Sequence, residues 1–316
     1  MRGRQARIWI LALSALAGLG GCQREDSSKR LIVVMVPSQD NPFFKAEADA
    51  AAERARSLGY RVRVDAHDDD AFRQDNLIDA AIASNAAAII LDNAGADSSI
   101  AAVRRATKAG IACILIDREI NTTGVAKAQI IADNRQGAEI VAQSFVDGIG
   151  LDGGDYVELL GKESDTNAQV RTAGFHSVID KQRNLARVAV QSANWSQSEA
   201  FQKTETMLQA HPDIRGIIAG NDTMALGALA AVKSARRKGI VITGLDGSPD
   251  AVAAIRAGEM HATSLQPAVE IARLAVDQAD QFLKTGSIGR PERQIIPCDL
   301  VTRKNADDFR DFEKVR

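Results

Sequence analysis

Short apolar runs recur along the chain at regular intervals. They occupy 31–36, 62–65, 87–91, 111–116 and 128–132, then 156–160, 186–190, 215–219, 240–245, 262–265 and 294–297. Each has the length of a strand, and most are continuous rather than alternating, as in strands buried on both faces. Between them lie stretches in which Ala, Glu, Lys and Gln recur with helical spacing, among them 43–58, 71–84, 97–109, 136–149 and 197–210. Gly59, Gly110 and Gly239 follow helical stretches, where a left-handed residue ends a helix at little cost. Strand alternating with helix predicts an α/β fold: crossover units building parallel sheets with helices on both faces. Two sheets of five or six strands fit the length better than one sheet of about ten.

In open parallel sheets ligands bind beyond the carboxyl ends of the strands. Polar and aromatic residues gather there: Asn41 and Phe43 after the first run, Asn93 after the third, Asp117 and Arg118 after the fourth. The second half adds Arg171, Trp195, Asn221, Asp246 and Gln266. A cleft between two facing sheets needs that distribution. Singly, each residue has a plainer use. Asn41 and Asn221 suit helix caps, Phe43 and Phe44 suit a core, and Asp117 with Arg118 suits a solvated loop pair.

The amino terminus carries Arg2, Arg4 and Arg7, then an apolar run 8–20, then Gly20-Gly21-Cys22. A basic start, a short apolar core and small residues before a cut make an export signal. The apolar run is too short to span a ~30 Å hydrocarbon core comfortably. With a cysteine directly after the cut, the segment resembles a bacterial lipoprotein signal. That resemblance implies removal of 1–21, lipidation of Cys22, and a mature protein tethered outside the cytoplasmic membrane. Residues 22–29 then read as anchor and flexible linker. The remaining chain has room for about two domains. A net charge of −2 and a pI near 6.1 leave no basic footprint for nucleic acid. Cys113 and Cys298 lie in apolar runs. An oxidising compartment would allow a disulfide between them, and two buried thiols are equally compatible with the sequence.

Five motifs stand in one unbroken order: Asn41-Pro42-Phe43-Phe44, Ile116-Asp117-Arg118, Ala132-Asp133-Asn134, residues 221–228 beginning Asn221-Asp222-Thr223, and residues 244–250 around Asp246. Together they resemble the ribose-binding-protein branch of periplasmic sugar-binding proteins, the receptors of ABC importers. The resemblance covers the chain from Lys29 to about Thr302. It implies the type I periplasmic-binding-protein fold: two doubly wound parallel-sheet lobes joined by three hinge strands. By it, the first lobe is 30–133 plus 267–290 and the second 134–266 plus 291–316, with crossings near Asp133, Gln266 and Arg290. It also implies that Asn41, Phe43, Phe44, Asn93, Asp117, Arg118, Arg171, Trp195, Asn221, Asp246 and Gln266 contact a sugar.

Such a set suits a polyhydroxylated guest. Carboxylates, guanidinium groups and amides replace the water on hydroxyls, and flat aromatic faces cover C–H surfaces. Departures from the ribose pattern shift the expected ligand towards a pentose, a branched sugar or a short polyol. Trp195 enlarges the stacking face, Asp92 stands where an apolar residue is usual, and the segment 161–167 is unusually polar. Lys162, Glu163 and Asp165 could stand near the cleft rim and tune the choice of ligand, though solvation is their default reading. The implied partners are that ligand, an ABC permease and, through the anchor, the membrane. The receptor is expected to act as a monomer, and a signalling receptor docking on a chemoreceptor or sensor kinase is the alternative.

No cofactor or metal is expected. The four histidines are scattered, and Asp68-Asp69-Asp70 lacks the alternate ligands and closing glutamate of a hard-cation loop, so it reads as a solvated helix entry. The chain is not expected to be an enzyme. Asp117 and Asp246 could imitate a glycosidase pair, but an arginine beside such a carboxylate is expected to keep it ionised.

Overall fold

The computed structural model describes residues 30–315. The expected export signal, the expected lipid-bearing Cys22 and the expected linker lie outside them. The chain runs β1 (Leu31–Val36), α1 (Pro42–Ser57), β2 (Arg61–Ala66), α2 (Ala71–Ala83), β3 (Ala88–Leu91), α3 (Ile100–Lys108), β4 (Ala112–Ile116) and β5 (Ala128–Ala132). It then crosses to α4 (Asn134–Ile149), β6 (Gly154–Leu160), α5 (Thr166–Ile179), β7 (Leu185–Ser192), α6 (Gln197–Ala210), β8 (Gly216–Ala219), α7 (Asp222–Ser234), β9 (Val241–Thr243), α8 (Pro249–Ala257) and β10 (Ala262–Leu265). It returns with α9 (Ala268–Thr285) and β11 (Arg293–Ile296), and crosses again to β12 (Asp299–Thr302) and a hairpin of β13 (Phe309–Arg310) and β14 (Glu313–Lys314).

Two six-stranded sheets result, ordered β11-β5-β4-β3-β1-β2 and β12-β10-β9-β8-β6-β7. Only β12, at one edge, runs antiparallel to its neighbour. The inner strands β1, β3 and β4 are buried at every residue, which is why they read as continuous apolar runs. Edge strand β2 is half-buried throughout and carries Arg61, Arg63 and Asp65. Helices α1 and α9 pack together over one face of the first sheet, and α2 and α3 cover the other. In the second lobe α4 pairs with α5 and α6 with α7.

The third crossing differs from the expected one near Arg290. β11 pairs in parallel with β5, from Arg293↔Gln129 to Ile296↔Ala132, so 293–296 belongs to the first sheet. The change of lobe falls between Ile296 and Asp299, at Pro297, which carries no N–H to continue a ladder. Cys113 and Cys298 are both free and buried: the first lies in β4, the second beside Gly137 of α4. No helix among the described residues is long and apolar enough to cross a membrane.

Candidate functional site

The carboxyl ends of both sheets face each other, and side chains from the two lobes close together there around a cavity of about 10 Å³. That is room for about one water, so a sugar enters only as the lobes part or the wall side chains move. The wall comprises Asn41, Phe43, Phe44, Asp117 and Arg118 from the first lobe, and Asp165, Asn167, Arg171, Trp195, Asn221, Asp246 and Gln266 from the second.

Helix starts place several of these groups. Asn41 caps α1, its Oδ1 accepting from Phe43 N at 3.0 Å, and Asn221 caps α7, accepting from Met224 N at 2.9 Å. With each oxygen held by its helix, the Nδ2 donors remain for a guest. The capping role and the cleft position therefore coincide. Asp165 caps α5 through Asn167 N at 2.9 Å, and its other oxygen accepts from Trp195 Nε1 at 3.1 Å. Three wall residues hold backbone angles that L-residues rarely adopt: Asp117 at φ 55°, Trp195 at φ 64° and Asp246 at φ 136°. Such conformations cost ~1–3 kcal/mol each and persist only where the surroundings hold them.

Two arginines organise the charge. Arg118 lies over the Phe44 ring at 5.1 Å and forms ion pairs with Asp69 (2.6 Å), Asp92 (3.4 Å) and, across the cleft, Asp165 (2.8 Å). Its Nε and Nη2 are buried without a hydrogen-bond acceptor among the described residues. Arg171 lies over Trp195 at 5.2 Å. It donates to Asn134 Oδ1 (2.7 Å) and Gly220 O (2.8 Å), and pairs with Asp246 at 3.3 Å. Gln266 donates to Asp246 Oδ1 at 2.7 Å, and its own Oε1 is buried without a donor among the described residues. Unsatisfied buried groups of this kind each cost ~1–3 kcal/mol, and ligand hydroxyls could satisfy them.

The arginines hold the two carboxyls ionised less firmly than expected. Burial first, then the neighbouring Asp165 charge, pushes Asp117 up to about 6 despite Arg118 and Arg171. Burial likewise raises Asp246 well above the ordinary range against the pull of Arg171. At about 6 Asp117 is still mostly ionised at neutral pH and accepts from hydroxyls, while the raised Asp246 is suited to donating as well.

Ten of the eleven residues expected at the site line the space; Asn93 does not. Asn93 is fully buried behind it, donating to Arg118 O at 2.7 Å and accepting from Gly95 N at 3.0 Å, so it fixes the Arg118 backbone. The solvated reading of Asp165 and Lys162 is corrected. Asp165 is buried, and Lys162 Nζ reaches across the cleft to Asp69 O at 2.9 Å. Asp69 is thereby drawn from the expected solvated run into the lobe–lobe contact, while Asp70 caps α2. Asn167 also went unrecognised: its Nδ2 lies 3.2 Å from Asp117 Oδ1 across the lobes. Their shared signal was the unusual polarity of 161–167, for which solvation offered a sufficient explanation. A further aromatic, Phe312 in the last hairpin, supports Phe43 edge-on at 5.6 Å.

Residues 32–287 match the model of the periplasmic binding protein domain family. This chain belongs to that family. Two family members named D-apiose import binding protein are each 52% identical to it. The one from Paraburkholderia graminis aligns over 96% of this chain and 97% of its own length, and the one from Actinobacillus succinogenes over 89% and 91%. A ribose import binding protein of Haemophilus influenzae is more distant, at 33% identity over 93% of this chain and 98% of its own. Among solved members, an ABC transporter periplasmic solute-binding protein from Actinobacillus succinogenes with bound D-allose superposes with a TM-score of 0.83. It has 27% identity, covering 89% of this chain and all of that one. The resemblance to sugar-import receptors seen in the motifs thus holds, with the ribose proteins as the outer relatives.

Proposed function

We propose that this chain is the binding component of an ABC sugar importer and that its ligand is D-apiose or a closely similar branched pentose. One observation carries the sugar reading. Arg118 Nη2 and Gln266 Oε1, both buried without hydrogen-bond partners among the described residues, belong to side chains that line a small space walled by Phe43 and Trp195, with wall residues supplied by both lobes. Hydroxyls need those polar groups, and sugar C–H faces need those rings. The two relatives at 52% identity are named for D-apiose, a small branched pentose. Trp195 in the wall supplies the broad aromatic face such a sugar needs.

In this reading the ligand bridges the lobes and stabilises the closed form, which the permease then engages. The family works outside the cytoplasm. Export by the amino-terminal signal, lipidation at Cys22 and action as a monomer complete the proposal. No turnover is expected: Asp117 and Asp246 serve as hydroxyl partners. The comparisons lend no support to a signalling receptor.

Isothermal titration of the mature protein with D-apiose, D-ribose, D-allose and myo-inositol tests the reading. Tight one-to-one binding of D-apiose above the others is the expected result. Preference for another of these compounds would overturn the apiose assignment alone, and binding of none would overturn the sugar reading.

A further inference from the structure

Glu47 lies on α1 one turn beyond Phe43, on the same face of the helix. It is completely buried, and neither carboxyl oxygen has a hydrogen-bond partner among the described residues. The charged groups that act on it are Asp92, Asp117 and Arg118 of the first lobe and Asp246 of the second. Three of those four line the ligand space, as does Phe43 one helical turn before Glu47, while Glu47 and Asp92 themselves stand outside that lining. Asp92 repeats the pattern. It is fully buried at the end of β3, both its oxygens also lack hydrogen-bond partners, and its one short contact is the 3.4 Å ion pair to Arg118.

Two acids without hydrogen-bond partners in a protein interior are expensive. A buried unsatisfied polar group costs ~1–3 kcal/mol, and a leucine of similar size would remove that cost. α1 is otherwise an ordinary helix with an alanine-rich buried face, so nothing in its fold calls for an acid there. Arg118 already has Asp69 and Asp165 within 3 Å, so its charge does not require a further distant carboxyl. A use in binding accounts for both acids.

We infer that Glu47, with Asp92 beside it, is a specificity-determining group that receives a hydroxyl of the ligand directed towards α1, directly or through one bridging water. The inference rests on the sugar-binding reading and narrows it. The guest must carry a hydroxyl-bearing substituent on the side facing the first lobe, as the hydroxymethyl branch of a branched sugar would provide. Burial, then the Asp92 charge, raises the Glu47 pKa well above the ordinary value, so the group is suited to donating to an oxygen as well as accepting. Gln at this position keeps a donor and an acceptor; Leu keeps neither.

The test compares wild type, Glu47→Gln and Glu47→Leu. Calorimetric titration with D-apiose and with erythrose, which lacks the branch, is read beside thermal melting without ligand. The expected pattern has three parts. Glu47→Leu melts at or above the wild-type temperature yet binds D-apiose at least 10-fold more weakly. It also loses most of the wild-type preference for D-apiose over erythrose. Glu47→Gln retains affinity within a few-fold and keeps the preference. An unchanged preference in Glu47→Leu would overturn the inference, as would equal losses for both sugars, which mark a merely structural acid. If wild type binds neither sugar nor any other polyol, the underlying reading fails instead.

Discussion

Gly161 is the position where one added carbon should disable the site while leaving the fold intact. It stands directly behind the Trp195 indole. A Cβ built there falls inside the ring's van der Waals envelope, against Cη2, Cζ2 and Cε2. Carbon contacts settle near 3.5–4.0 Å, so the ring must shift by more than ~1 Å. Gly220 restricts the same ring elsewhere, since a Cβ there would lie 3.1 Å from Cζ3. The ring can yield only towards the cleft, where the cavity is about 10 Å³. A shift of that size stretches the 3.1 Å bond from Trp195 Nε1 to Asp165 beyond hydrogen-bond range and narrows the aromatic slot. Overpacking costs about 1–3 kcal/mol, and a hydrogen bond to a charged group is worth about 1.5–3 kcal/mol. Gly161→Ala should therefore still fold, with a lowered melting temperature, and should bind sugar roughly 10- to 100-fold more weakly (about 1.4–2.8 kcal/mol). Calorimetry gives the affinity. Tryptophan emission gives the ring's surroundings, because Trp195 is the one tryptophan left if residues 1–21 are removed. Wild-type affinity with wild-type emission would refute the argument that this ring forms a wall of the site.

Asp165→Asn keeps a good cap for α5 but removes the charge that faces Arg118 and Trp195; calorimetry should show binding weakened by about 10-fold, with melting little changed. Arg171→Ala leaves Asp246 and the Gly220 carbonyl without their donor and should weaken binding by more than ~1.5 kcal/mol on titration. For Asp117, raised from 3.8 to about 6, the stabilising contribution is full below the unfolded value and lost as pH rises through the folded one. The melting advantage of unliganded Asp117→Asn over wild type should therefore grow between about pH 4 and pH 6 and then level off; a difference constant with pH would contradict the burial argument. Asn tolerates the positive φ at this position, so the comparison isolates the charge.

The parts of the fold legible in the sequence were those buried on both sides. The run Leu31–Val36 reads as a central strand because six apolar residues in succession suit only a strand covered above and below. β11 was recognised as a strand but put in the wrong lobe. Its alternating exposure follows a turn containing Pro291, and only pairing with β5 reveals which sheet it joins. Residues such as Arg118 and Asp246 could be located because strand ends in open sheets are where ligands sit. Asn93 shares that position but turns to the backbone of its own lobe, a distinction of side-chain direction that spacing does not carry. Asp165, Asn167 and Lys162 act through partners in the opposite lobe, so their roles exist only once the lobes meet. Glu47 is hidden in an Ala- and Glu-rich helix whose pattern places such acids in solvent.

A crystal structure of the mature protein with D-apiose tests the central claim most directly. The account predicts one sugar between Phe43 and Trp195, bonded to Arg118 and Asp117 of one lobe and to Arg171 and Asp246 of the other. A sugar seated elsewhere, or touching one lobe alone, would contradict it.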